Sequence, residues 1–483
     1  MTHTPTGSAV PDVRGGAGVP APRGTAPAPP SGPPGPGRRR AWSDSAARLR
    51  GSATTEPGRL RIIGATLALL VVAFGAVTAW QVTDRSAAAD NVVKHSAPLS
   101  ATAAEIYRSL ADADATVTGG FLVGGQQPAK VSQRYENDIT TAARLIAEAA
   151  ANSEGSPQAR AQIASLNRQL PQYIELVTSA QNNNRQGLPV GGAYLRYANS
   201  QMRKDGGLLS AADQLYQIET DRLGHDYSNA KALPYVSWGL GVVALGALLW
   251  AQRRHYRRTN RVFNHGMLAA SAASAVVLLW LVAGHTLARN QLEHSYAHGA
   301  RSMQVLNNAR ISVLQARGDE NLTLVARGSG QDYEDKFGNG MELLAGKDPK
   351  GVGGELAQAL QLADDSAGRD PVDAAVKGVQ TWRARHTAER ASDNSGDYTT
   401  AVAAVIGGKD SSGKTVDQTT GSCFDAVDKS LQQAVVQEQK DFQHAADNGR
   451  DALSLLPAGA AVLAVLAAAG AALGIGRRLS EYR

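Results

Sequence analysis

Cysteine is nearly missing from this chain of 483 residues; the one present is Cys423. No internal disulfide can form, so any exported domain must be held by packing or by the membrane. Aromatic residues are scarce at 5 %, which speaks against a dense aromatic core and for long helices meeting through small side chains. A nucleotide-binding loop, a nucleophile elbow and a metalloprotease helix motif are all missing. Neither enzyme nor cofactor is therefore expected, and no catalytic or cofactor-binding residue is assigned. Four stretches, 62–82, 233–251, 266–287 and 453–475, contain no Asp, Glu, Lys or Arg. Their one ionisable residue is His285, too little for a transporter's path.

What is present is a partitioned charge. The formal net charge is +6. Residues 1–61 carry nine Arg and three acids, 252–265 carry five Arg and no acid, and 476–483 carry three Arg and one Glu. The stretches 83–232 and 289–454 are net acidic, by −1 and −6. Arg flanking apolar spans marks the cytoplasmic side, so the basic excess is a topology signal. It is not a nucleic-acid signal, and no nucleic-acid partner is expected.

A span needs roughly 20 apolar residues, and it must be helical because lipid offers the backbone no partner. The four uncharged stretches meet that description. The expected fold is all-α: a multi-pass protein of the plasma membrane with both termini cytoplasmic, four transmembrane helices, and two extracytoplasmic helical bundles, 83–232 and 288–452, in a tandem, parallel repeat. Residues 1–61 read as a disordered cytoplasmic tail, since ten of the 20 prolines fall within 1–37 and such a segment cannot bury enough apolar surface. Residues 252–265 read as an Arg-rich cytoplasmic loop, and 476–483 as a short tail.

Apolar periodicity supports the bundles. Leu99, Ala103, Ile106, Leu110, Ala113 and Val117 stripe one helix, with Gly119-Gly120 and Gly124-Gly125 expected to end it. Ile163, Leu166, Leu170, Tyr173, Val177 and Ala180 stripe another, opened by Pro157. In the second half Phe424, Val427, Leu431, Ala434, Glu438 and Phe442 do the same. Asp332-Tyr333-Glu334 echoes Arg134-Tyr135-Glu136 at a similar place.

Candidate sites are few. Arg253, Arg254, Arg257, Arg258 and Arg261 form the coupling or topology loop. Arg108, Arg134 and Arg144, or Arg301, Arg310 and Arg317, suit an anionic ligand such as an amino-acid carboxylate. Bundles carry many surface Arg–Glu pairs, however, and that is the expectation for each. Beside Glu293, His294 and His298 lie four apart, the spacing of a metal pair, but a third ligand is required. A solvated face is expected there and no metal site is assigned. His285 is expected to reach the membrane interface, and Cys423 to be a small buried group. Gly470-Ala-Ala-Leu-Gly474 lets helices approach closely, among the four spans or in a homo-oligomer.

Span–bundle–span halves resemble the outer sensor modules of bacterial chemoreceptors and sensor kinases. Two such halves in tandem, the Pro-rich tail, the Arg253-Arg254/Arg257-Arg258 loop and the short end after 475 resemble GlnX-type membrane proteins of actinobacteria. That resemblance implies a non-enzymatic relay between an extracytoplasmic amino-acid-binding lipoprotein and a soluble Ser/Thr kinase controlling glutamate metabolism. It transfers no functional residue. The competing expectation is an envelope scaffold, or an accessory subunit of a transport or secretion complex.

Overall fold

The computed structural model describes residues 56–124, 127–153, 155–259, 265–454 and 456–479. The chain parts into two compact units, Met1–Ile62 and Ile63–Arg483. In the first, the described part is the start of one helix; the rest of the tail expected at 1–61 lies outside the described residues, and the expected tail at 476–483 is described only to 479. Among the described residues the only strands are β1 (Gly408–Lys409) and β2 (Thr415–Val416), an antiparallel hairpin.

The second unit is built on two long helical runs. Helix α1 (Glu56–Asn91) passes through a π-helical turn, Val92–Ser96, into α2 (Ala97–Leu122). Helix α8 (His265–His294) passes through a second π-helical turn, Ser295–Ala300, into α9 (Arg301–Val325). Between these runs lie α3 (Ala129–Asn152), α4 (Pro157–Arg185), α5 (Val190–Arg203), α6 (Leu208–Ala230) and α7 (Tyr235–Thr259). After them come α10 (Gln331–Ala345), α11 (Gly354–Leu362), α12 (Ser366–Asn394), α13 (Tyr398–Ile406), α14 (Thr420–Ser454) and α15 (Leu456–Leu479).

Three helical stretches are long and apolar enough to cross a membrane; they lie within Gly58–Leu122, Val190–Arg257 and His265–Val325. A shorter apolar helix, Ala458–Gly474, falls where the fourth span is expected. These helices pack together: Leu67 and Val71 of α1, Leu248 of α7, Met267 and Ala270 of α8, and Ala467 and Ala471 of α15 share one cluster. Their other faces expose Leu69, Val242, Leu279, Val465 and Leu473. Such a belt would be costly in water and is natural against lipid. Small residues set the spacing. A Cβ on Gly266 would lie 2.5 Å from the Gly470 carbonyl oxygen and 2.6 Å from Gly474 Cα, so the small-residue motif is spent on packing within the chain.

Three expectations are corrected. The Arg-rich stretch is not a loop from 252 onward: α7 continues to Thr259 and α8 begins at His265, since Arg and Gln are good helix formers, and Gln252 braces the two helices by donating to Met267 O and Ser271 Oγ. Gly119-Gly120 lie inside α2, which runs to Leu122 and breaks at Gly124 with φ +68°. These glycines are tolerated because neighbours crowd them: a Cβ on Gly120 would sit 2.7 Å from Gln127 Nε2. His285 does not reach outward; it is 1 % exposed, edge-on to Trp238.

Beyond the apolar helices, α2 packs on α3 and α6, and α4 on α5 and α6. In the later half α9 packs on α10, α11 and α14, and α12 on α14. The predicted stripes of α2, α4 and α14 are buried throughout. Capping explains two of the helix starts: Ser156 accepts from Ala159 N ahead of α4, and Asp365 from Gly368 N ahead of α12. The two halves also pack on each other, through α2 against α9. Ile106, Leu110, Tyr173, Val313, Trp382 and Leu431 consequently belong to a single hydrophobic core.

Candidate functional site

The contact between α2 and α9 is unusually polar for so buried a place. Gln315 Nε2 donates to Tyr107 Oη at 2.6 Å, and Asn321 Nδ2 donates to the Ala115 carbonyl at 3.1 Å. Arg203, at the end of α5, bridges the halves. Its Nε donates to Asp114 Oδ2 at 3.1 Å and its Nη1 to Asp319 Oδ1 at 2.6 Å. Asp114 also accepts from Asn199 Nδ2 at 2.9 Å and from Tyr173 Oη at 3.5 Å. Burial raises both carboxyls against the pull of Arg203; Asp319 reaches about 6.

Next to this bridge a cavity of about 350 Å³ opens between the halves. Helix α2 supplies Asp112, Thr116 and Gly119; α3 supplies Arg134; α9 supplies Arg317 and Asn321; α14 supplies Phe424 and Asp425. It lies about 45 Å along the helix from residue 82, at 1.5 Å per residue. Arg134 grips Asp112 with two nitrogens, at 2.9 and 3.2 Å, and reaches Asp425 at 3.0 Å. Burial alone would lower its pKa, but Asp112 and Asp425 outweigh that and keep it cationic. Arg317 donates to Glu320 at 2.6 Å and to Thr420 at 3.2 Å. Both guanidiniums stand over the Phe424 ring, at 5.6 and 5.9 Å. Asn321 is fully buried and its Oδ1 accepts no hydrogen bond. The cavity thus offers cationic donors, carboxylates and a spare amide acceptor together. A small zwitterion can be read by such a set better than a bare anion, since every Arg is already balanced by an acid.

The second half has its own polar centre behind Arg317. Glu320 Oε1 accepts from Trp382 Nε1 at 3.0 Å and Oε2 from Thr420 at 3.0 Å. His386 places Nδ1 3.1 Å from Glu320 and Nε2 3.0 Å from Glu334. Burial opposes its charge, but these two carboxylates push the imidazole up to about 9. Glu389, 3.4 Å from His386, is pushed up to about 8, mainly by burial. Glu320, His386 and Glu389 bring ligand atoms within 4.8 Å of one another. A metal needs a neutral imidazole, however, and both nitrogens of this one are engaged by carboxylates.

The residues singled out in the sequence scatter. Arg134 and Arg317 meet in the cavity. Arg108 is tied to Glu105 and Asp112, Arg144 to Glu148, and Arg310 to Asp428; only the Arg144–Glu148 pair lies on the surface as expected, and Arg310 is buried. Arg301 lines a separate, smaller cleft with Tyr296 and Tyr216. Cys423 is buried, with Arg385 Nη1 3.2 Å from its sulfur. Arg253, Arg254 and Arg257 extend α7, and Arg254 stacks over Trp250 at 5.5 Å. The side chain of Arg258 and all of Arg261 lie outside the described residues. Arg203, Asp114 and Asp319 carry no signal in the sequence, because isolated charges on a helix read as solvated.

Residues 88–228, the end of α1 through most of α6, match the model of an actinobacterial sensor domain. The first half is thus similar to a sensor domain. A sensor domain joined to apolar helices of spanning length fits a membrane sensing or signalling protein. No curated protein and no solved structure matches the chain significantly.

Proposed function

We propose that this chain is a non-enzymatic membrane signalling protein with four spans, two outer helical bundles in tandem, and both termini in the cytoplasm. In this reading the cavity between the bundles takes a small amino-acid-like zwitterion, delivered free or by an extracytoplasmic binding lipoprotein. Its carboxylate replaces Asp112 or Asp425 on Arg134, and its ammonium group goes to the displaced acids and Asn321 Oδ1. The observation that carries this reading is position. The cavity walls include α2 and α9, each continuous through a π-helical turn with an apolar helix. A ligand that favours one spacing of α2 and α9 shifts the population of two arrangements. Those helices then pass the shift to the Arg253–Arg258 end of α7 and to a cytoplasmic effector such as a soluble Ser/Thr kinase.

The test is a panel of amino acids against the full chain in nanodiscs, read by calorimetry. Arg134→Met should weaken the best binder at least tenfold while leaving the helical circular dichroism unchanged. Equal affinity in wild type and variant would sink the cavity as the ligand site. Co-purification of cell-wall or secretion components alone would favour the envelope scaffold instead.

A further inference from the structure

The two histidines four residues apart acquire a third partner from a distant part of the chain. His294 is the last residue of α8, and His298 sits in the π-helical turn Ser295–Ala300. Their ring centroids are 5.0 Å apart. Asp364 arrives from the connection between α11 and α12. Its Oδ1 is 2.5 Å from His298 Nδ1, and its Oδ2 is 3.5 Å from His294 Nε2. All three ligand atoms lie within 4.8 Å of one another.

We propose that His294, His298 and Asp364 bind a divalent late transition-metal ion, of which Zn²⁺ is the type. Tetrahedral zinc with bonds of about 2.0–2.1 Å keeps its ligand atoms roughly 3.3 Å apart. The two histidine-to-Asp364 distances, 2.5 Å to Oδ1 and 3.5 Å to Oδ2, lie either side of that value, and all three ligand atoms fall within 4.8 Å of one another. Two neutral imidazoles and one carboxylate form a three-ligand set that leaves a fourth position for water. The side chains are 58, 39 and 43 % exposed, so an ion can enter directly.

The surroundings favour a cation, and the residue after the third ligand is held in place. Asp364, Asp365 and Asp441 all act electrostatically on Glu438 of α14, a group of acids that concentrates cations nearby. The neighbouring Asp365 is pinned as the cap of α12 by Gly368 N at 2.9 Å. A direct His298–Asp364 hydrogen bond is the competing use of the same geometry. His298 Nδ1 also lies 3.3 Å from the Leu362 carbonyl; a metal on that nitrogen releases this contact.

The consequence is a clamp. The ion ties the π-helical turn, where the apolar helix α8 becomes the core helix α9, to the start of α12. A π-helical turn is a local widening that can regularise, and an ion bound on both sides of its first residues resists that change. Metal occupancy would set how readily the second half moves relative to its apolar helix. The site stands independently of what the inter-half cavity takes.

The experiment uses the full chain, purified in detergent without a histidine tag, stripped with a chelator and titrated with Zn²⁺ alone by calorimetry. The expected result is one ion per chain, bound at least tenfold more weakly by both His298→Ala and Asp364→Asn. These positions are exposed, so folding is checked by circular dichroism, with His294→Gln as the reserve variant. Equal affinity across wild type and these variants overturns the proposal and leaves a His–Asp hydrogen bond. Loss in Glu389→Gln but not in Asp364→Asn overturns it in favour of the buried Glu320–His386–Glu389 cluster.

Discussion

Beyond the apolar helices, each half buries two carboxylates on its leading helix, Asp112 and Asp114 on α2 and Asp319 and Glu320 on α9, and the deepest of each pair is satisfied differently. Asp114 in the first half and Glu320 in the second are both 1 % exposed. Asp114 shares its cation, Arg203, with Asp319 of the other half. Glu320 takes Trp382, His386, Arg317 and Thr420 as partners, all from its own half. The first half therefore supplies the cation of the joint between halves, while the second satisfies Glu320 internally, beside a histidine pushed up to about 9. A buried charge is tolerable only when paired and hydrogen-bonded. The way each is paired decides whether a disturbance stays local or crosses to the neighbouring half.

The largest expected effect comes from breaking the joint. Arg203→Ala leaves Asp114 and Asp319 buried without their cation, which typically costs about 3–5 kcal/mol. Thermal unfolding of the full chain in nanodiscs should show a fall of several degrees and a loosening of both halves in hydrogen exchange. Protection lost in the first half alone would mean that the bridge carries no coupling.

The second effect is a pH dependence. His386 has its folded pKa raised to about 9, so its contribution is fully present below the unfolded value of about 6.5 and is lost as pH rises through 9. That difference corresponds to roughly 3 kcal/mol. Glu389, raised to about 8, loses stability in the same direction. The unfolding temperature should drop between pH 6.5 and 9. His386→Gln should be less stable at pH 6 and show a flatter, though not flat, profile above it. Parallel profiles for the two proteins would remove His386 from the account.

The smallest effect sharpens the contrast. Tyr107→Phe removes the hydroxyl that accepts from Gln315 across the halves. A single neutral hydrogen bond of this kind contributes about 1 kcal/mol. The variant should lower the unfolding temperature by a few degrees at most and leave its pH dependence unchanged; a loss as large as that of Arg203→Ala would contradict the ranking.

Much of this was legible in the sequence. The stripes Leu99 to Val117 and Ile163 to Ala180 face the core because period alone decides which side of an amphipathic helix is buried. The apolar stretches were legible from their missing charges, and the close contact of Gly470 and Gly474 from their small-residue spacing. The joint was not. Arg203 and Asp319 are more than a hundred residues apart, and neither breaks the pattern of its own helix. Arg134 and Arg317 stood out as candidates, but nothing local distinguishes them from Arg108 and Arg144, which form ordinary pairs. Only the packing of α2 on α9 brings two of the six named arginines to one cavity. Asp364 was invisible for the same reason: the His294–His298 pair shows itself locally, whereas its third partner arrives through the fold. The helical Gly119-Gly120 misled because glycine's usual role as a helix stop was overridden by the close approach of Gln127 and Asn321.

The two halves act as one body through the α2–α9 contact. A double-mutant cycle on Arg203→Ala and Asp319→Asn, read as unfolding temperature of the full chain in nanodiscs, tests it most directly. The predicted result is strong non-additivity, worth about 1–3 kcal/mol, because each substitution removes the same cross-half ion pair. Shifts that add to within about 0.5 kcal/mol would show two independent halves and contradict the account.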